Sequence, residues 1–155
     1  MVEWHFLGDA ERVLTAKGVK VDLDEVAGAL DGTDLADTAV KQELKKRHWR
    51  TSEPVWEGAK YSYDGFKDSV AVEAVGPGTS NGRAITYGLV KMELGRQRPV
   101  CVEVGVLIVS TKTKNPKKKP HFDEAKEFAQ RLREAGILRV PAAILGIDTR
   151  RGRVR

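Results

Sequence analysis

The chain has 155 residues, enough for one domain with its own core. Apolar residues make up 41% and charged residues 32%, which excludes a fibrous or low-complexity chain, and no apolar run approaches the ~20 residues of a membrane-spanning helix. The formal charge is +5, but it is concentrated: five lysines lie between Lys112 and Lys119 and four arginines between Arg150 and Arg155. Removing those nine from the 27 basic residues leaves 18 against 22 acidic ones, so the rest of the chain is net negative. Local positive charge of this kind suits contact with a polyanion, or simply a solvated loop and a solubilising tail.

In chain order, Asp9 to Lys17 reads as a short helix capped by its aspartate, and Val21 to Leu30 as a second one. Asp31-Gly32 is a turn. Thr33 or Asp34 caps a third helix to about Trp49, with Leu35, Ala39, Val40 and Leu44 as its apolar stripe. Residues 50–59 form a loop. Two alternating strands follow, Tyr61 to Phe66 and Ser69 to Val75, joined at Lys67-Asp68. Ser80 or Asn81 starts a helix to about Leu94, with Ile85, Leu89 and Met92 inward. Val100 to Ser110 is nearly all apolar, as expected of a central strand covered on both faces. After a loop from Lys112 to Pro120, Phe122 to Ala135 is an amphipathic helix with Phe122, Ala125, Phe128, Ala129 and Leu132 inward. Gly136 stops it. Val140 to Ile147 is the last strand, and 148–155 a basic tail.

This order predicts a single α/β domain over residues 1–147, a mixed central sheet with helices on both faces. The strands flanking the 122–135 helix should be parallel neighbours. Cys101 is the only cysteine and the N-terminus lacks the charged and apolar segments of a signal peptide, so a cytoplasmic location is expected.

The stretch DGFKDSVAVEAV, residues 64 to 75, sets Glu73 among Val and Ala. A glutamate there is costly to bury without a charged partner. With the turn at Lys67-Asp68, Asp64 pairs with Ala71 and lies diagonal to Glu73, about 7–8 Å away on the same face as Ala71 and Val75. Two such carboxylates can converge on a hard cation such as Mg2+, able to polarise a phosphate and activate a water. The plainer readings are turn chemistry for Asp64 and a solvated face for Glu73.

An aspartate followed nine positions later by a glutamate on a hairpin resembles the core of the PD-(D/E)XK nuclease superfamily. The segments KQELKKRHW (41–49), YDGFKDSVAVEAV (63–75), VEVGVLIVSTK (102–112) and FDEAKEFAQRLREAGILRVPAAILGI (122–147) together resemble a BglII-like type II restriction endonuclease. The resemblance implies a homodimer that binds a short palindrome in double-stranded DNA and hydrolyses a phosphodiester bond with Mg2+, Mn2+ serving as a substitute. It implies Asp64 and Glu73 as catalytic metal ligands, with the Ala74 carbonyl as a third, and matches Glu43 to a glutamate of the helix before the hairpin. Two departures bear on cleavage. The family places Gln, Lys or Glu two residues after the glutamate, where this chain has Val75. The family's enzymes also extend beyond the last matching strand, whereas this sequence stops at Arg155.

Lys91, on the following helix, is the candidate to supply the missing polar group; a surface role is the alternative. His48 and His121 qualify on chemistry, against a helix-end role for each. Lys112, Lys114, Lys117, Lys118 and Lys119 are candidate phosphate contacts. Ser80, Asn81 and Arg83 are candidates for the groove-facing residues, with an ordinary helix start as the alternative. The competing functions are a catalytically inactive DNA-binding homologue acting as a regulator or accessory subunit, and an α/β protein with no nucleic-acid role.

Overall fold

The computed structural model describes residues 2–76, 81–97, 100–113 and 117–149, with backbone alone at 81 and 82. Its centre is a five-stranded sheet built from β1 (Val2–Leu7), β4 (Gly65–Lys67), β5 (Val70–Ala74), β6 (Val104–Ser110) and β7 (Ala142–Ile147), in the order β1-β7-β6-β5-β4. β5, β6 and β7 are parallel, and the edge strands β1 and β4 run antiparallel to their neighbours. A two-stranded piece, β2 (Glu53–Pro54) with β3 (Ser62–Tyr63), stands beside it.

Parallel neighbours need crossover helices. α4 (Asn81–Leu94) links β5 to β6, and α5 (His121–Glu134) links β6 to β7. These two cover one face of the sheet, where Ile85, Leu89, Met92, Phe122, Ala125 and Ala129 pack on Ala71, Leu107, Val109 and Ile144. The other face lies under α1 (Ala10–Ala16), α2 (Val19–Leu30) and α3 (Asp37–Lys46), whose Leu14, Leu23, Val26, Val40 and Leu44 meet Val72, Val106, Ile108 and Leu145. Every residue of β6 is buried, as its unbroken apolar run requires. The mixed sheet and two-sided helix cover agree with the sequence reading, and the crossover around α5 is parallel as expected.

Several details differ, among them the short strand β2 inside the expected 50–59 loop and the division of the expected 61–66 strand into β3 and β4. β1 is a strand that the sequence reading does not contain, although Val2, Trp4 and Phe6 alternate and lean on the helix side. Glu3 and His5 between them interrupt the apolar signal. The third helix starts at Asp37, because Thr33 is spent locally: its hydroxyl donates to the Leu30 carbonyl at 2.6 Å and accepts the Leu35 N–H at 3.2 Å. Phe128 is 38% exposed, since the buried stripe of α5 runs through Phe122, Ala125 and Ala129 and leaves Phe128 at its rim. The hairpin turns on Asp68 and Ser69, both at positive φ (51° and 63°), so Lys67 pairs with Val70, Phe66 with Ala71 and Gly65 with Val72.

Asp148 and Thr149 remain tied to the domain. The Asp148 N–H donates to Asp31 at 3.0 Å, and the Thr149 and Ser110 hydroxyls share a hydrogen bond of 2.7 Å. The arginines from Arg150 onward lie outside the described residues. Among the described residues no helix is long and apolar enough to cross a membrane.

Candidate functional site

The one-residue change in the hairpin turn has a direct effect on the two carboxylates. Continuing the observed register puts Asp64 opposite Glu73 rather than diagonal to it. They are laced together through the backbone: the Asp64 N–H donates to Glu73 Oε1 at 3.1 Å, and the Ala74 N–H donates to Asp64 Oδ2 at 2.9 Å. Glu73 is only 8% exposed, on the sheet face that α4 covers.

α4 approaches β5 closely because it carries Gly88 there. A Cβ at Gly88 would stand 2.8 Å from Leu107 Cδ1 and 3.6 Å from Glu73 Cβ. Near one turn later Lys91 reaches back over the glutamate. Its ammonium lies 2.8 Å from Glu73 Oε2 and donates to the Ser62 carbonyl, also at 2.8 Å. The backbone of Lys91 is held in turn, since the Tyr63 hydroxyl donates to its carbonyl at 2.6 Å. The chain thus brings Asp64, Glu73, Ala74 and Lys91 together from the hairpin and a helix.

Burial dominates the electrostatics. It pushes the Glu73 carboxyl up to about 7, the Asp64 charge pushes the same way, and Lys91 pulls back. Asp64 is also raised, first by burial; the Ala74 N–H opposes this, the Asp37 charge adds to it, and Lys91 and Lys41 oppose it. Burial and the Glu73 charge likewise raise the Tyr63 phenol, so it stays a hydrogen-bond donor.

Two carboxylates and a backbone carbonyl form an all-oxygen donor set, which fits a hard divalent ion that keeps several waters. Among the described residues no cluster of three His, Cys, Asp or Glu side chains has metal-binding geometry, and the residues that could hold such an ion here are Asp64, Glu73 and, through its carbonyl, Ala74. Val75 shares the face of Glu73 but is buried in the apolar cluster with Ile85 and Leu89. Its side chain offers no polar group there, and the charged group beside Glu73 comes from α4 instead.

The remaining candidates fall elsewhere. Glu43 pairs with Lys46 and Arg47, each at 3.0 Å, as a surface helical glutamate does. The α3 acid whose charge reaches Asp64 is Asp37, in the first turn and 3.6 Å from Lys41; its place in that turn was the available sequence signal. His48 closes α3 at φ 67°, its N–H donating to the Lys45 carbonyl. His121 opens α5, buried, with Nδ1 unpartnered and its basicity lowered by that burial.

Because β5, β6 and β7 are parallel, their carboxyl ends share one edge. Glu73 and Ala74 end β5 there, Lys112 follows β6, and the first turns of α4 and α5 begin there. Arg83, Lys117 and Lys118 are exposed along this edge. Lys112 pairs with Asp148 at 3.3 Å and Lys119 with Glu127 at 3.0 Å. Ser80 and Lys114 lie outside the described residues, as does the side chain of Asn81.

Sequence reasoning missed an exposed aromatic groove of about 310 Å³ lined by Trp56, Tyr61, Tyr87, Val90, Lys91 and Leu94. Apolar residues at helical spacing are ordinarily read as core, which hides such a surface in the sequence.

No protein-family model matches the chain, and no curated protein matches it in sequence. Among solved structures the chain is similar to restriction endonuclease BglII complexed with a DNA 16-mer, at a TM-score of 0.72 and 17% identity, covering 95% of this chain and 78% of that one. It is also similar to free BglII, at a TM-score of 0.64 and 15% identity, covering 95% and 79%. At these identities the likeness is one of fold: the chain has a BglII-like restriction-endonuclease fold.

Proposed function

We propose that this protein is a Mg2+-dependent endonuclease of the type II restriction class, acting on double-stranded DNA as a homodimer. The observation that carries the reading is Glu73: a glutamate 8% exposed, beside a second carboxylate, with a lysine ammonium 2.8 Å away. Burying such a group weakens the fold unless its charge is used, and carboxylates perturbed in this way mark functional sites. The fold it sits in is that of a restriction endonuclease, which supports the same reading.

In this reading Asp64, Glu73 and the Ala74 carbonyl hold Mg2+, with Mn2+ able to substitute. The bound ion would polarise the scissile phosphate and make a nearby water more acidic. Lys91 orients the attacking water and offers its positive charge to the phosphoryl oxygens as negative charge builds there. The water oxygen bonds to phosphorus and gives up a proton to solvent, one P–O ester bond breaks, and the departing oxygen takes up a proton. Arg83, Lys112, Lys117, Lys118 and Lys119 hold backbone phosphates along the carboxyl edge of the sheet, supplying sequence-independent affinity.

The deciding experiment incubates the purified protein with mixed-sequence plasmid DNA and Mg2+. Discrete fragments are expected, abolished by chelation and in Glu73→Gln. Retention of DNA with no cleavage under any metal condition would assign the protein to the binding-only regulator class.

A further inference from the structure

We infer that Lys91 is a built-in competitor for the divalent ion, its ammonium filling the cation's place on Glu73 in the metal-free protein and leaving it when the ion enters. The inference rests on the reading of Asp64 and Glu73 as metal ligands.

The carboxylate oxygens are already engaged. Glu73 Oε1 accepts the Asp64 N–H at 3.1 Å, and Oε2 accepts the Lys91 ammonium at 2.8 Å. Asp64 Oδ2 accepts the Ala74 N–H at 2.9 Å. The two amide bonds come from the hairpin backbone and are fixed with it. Of these three contacts, the lysine's alone is made by a mobile group and alone brings a full positive charge. An ammonium and a divalent ion sharing one carboxylate oxygen would repel across a few ångströms in a water-poor seam, where such repulsion is poorly screened. One must leave, and the side chain with rotatable bonds is the one free to do so.

The surroundings allow that movement over a short range. Lys91 also lines the open groove with Trp56, Tyr61, Tyr87, Val90 and Leu94, so its stem has space on the side away from Glu73. The Ser62 carbonyl, 2.8 Å from the ammonium, gives it a second anchor that does not depend on the glutamate. Lys91 therefore has two uses at one address. Without metal it neutralises a buried carboxylate that would otherwise lack a counter-charge. With metal it would keep the bond to the Ser62 carbonyl and be free to orient the attacking water.

The two states follow from linkage. Whatever free energy Lys91 contributes to the metal-free site must be given up when the ion binds, so it lowers metal affinity by that amount. Removing the charge must raise affinity, even as it removes a group needed for cleavage.

The test measures Mn2+ binding to DNA-free protein, by titration calorimetry and by the metal-dependent rise in melting temperature. Lys91→Met keeps the apolar stem and drops the charge, Lys91→Arg keeps the charge, and Lys91→Gln guards against a folding defect in the methionine variant. Expected is Mn2+ binding about tenfold tighter in Lys91→Met and Lys91→Gln, with Lys91→Arg close to the wild type. Equal or weaker binding in the neutral variants would overturn the inference, as would an equal gain in Lys91→Arg. Failure of the wild type and every variant to bind Mn2+ would overturn it together with the metal reading itself. That case is told apart by the absence of any response in the neutral variants as well as in the wild type.

Discussion

Glu73 and the Lys117–Lys119 segment carry charge in two contrasting settings, and the structure treats them in opposite ways. Glu73 is enclosed by α4, and its ionisation is shifted by burial and by Asp64. The lysines lie on the surface, and in the pair that Lys119 makes with Glu127 both partners remain well exposed. Such a surface pair adds little to stability. A buried charge affects folding, ionisation and chemistry at once. An exposed charge is felt mainly by whatever molecule approaches it. The first is read through rates and pH, the second through salt.

The largest effect should come from Lys91. Lys91→Ala, with Mg2+ and DNA saturating, should lower single-turnover cleavage by ~10²–10⁴, or about 3–5.5 kcal/mol in the barrier. Replacing Lys117, Lys118 and Lys119 together should leave that saturated rate near the wild type. An equal drop in rate for both would erase the distinction between the two regions.

Next comes stability against pH in metal-free buffer. A carboxyl with an ordinary value of 4.5, raised to about 7 in the fold, binds its proton more tightly when native. Its stabilising contribution is therefore complete below about 4.5 and disappears as pH rises through 7. The fall amounts to about 3 kcal/mol if nothing compensates. Denaturant melts at pH 4.5, 6 and 8 should show this decline, Glu73→Gln should flatten it, and Mg2+ should reverse it at pH 8. A Glu73→Gln curve parallel to the wild type would show that the buried carboxyl is not what titrates.

Val75→Ala marks the boundary of the buried region. It should cost about 1–3 kcal/mol of stability by opening a cavity in the apolar cluster. Cleavage per folded molecule should hold, because Val75 handles no water. A selective fall in cleavage with stability intact would move Val75 into the site.

The smallest change belongs to the surface. Alanine at Lys117, Lys118 and Lys119 should reduce the slope of log affinity against log salt by up to about three units, about 0.9 for each phosphate no longer neutralised. An unchanged slope would mark the segment as merely solvated.

Most of the architecture was legible because it depends on periodicity. The apolar run of β6, the stripe of α5 apart from Phe128, and the turn at Gly136 each carry a local signal that packing then follows. The hairpin register was not legible, since the choice between Lys67-Asp68 and Asp68-Ser69 turns on which residues accept positive φ, and neither pair contains glycine. That single step decides whether Asp64 lies diagonal or opposite to Glu73. Lys91 was readable as a candidate from the chemistry that Val75 lacks. Its arrival at Glu73 depends on Gly88 and on the angle at which α4 crosses the sheet, which are properties of packing rather than of spacing. Asp37 was passed over for Glu43 because helical phase, not residue type, decides which acid faces the hairpin.

The pairing of β1 with β7 joins Val2 to Ile147, nearly the greatest separation along the described chain. Two elements so far apart meet only after everything between them has been synthesised, and the entropy of closing so long a loop must be met before the contact rewards it. The β4–β5 hairpin, by contrast, closes over two residues and brings Asp64 to Glu73 on the microsecond scale of hairpin formation. The two carboxylates need only the hairpin's own residues to meet, while β1 needs β7, made far later in the chain. The helices packed on β1 and β7 cannot be sealed until then. The carboxylate pair is therefore a local contact and the closure of the sheet a global one: the first spans a short hairpin, the second nearly the whole described chain.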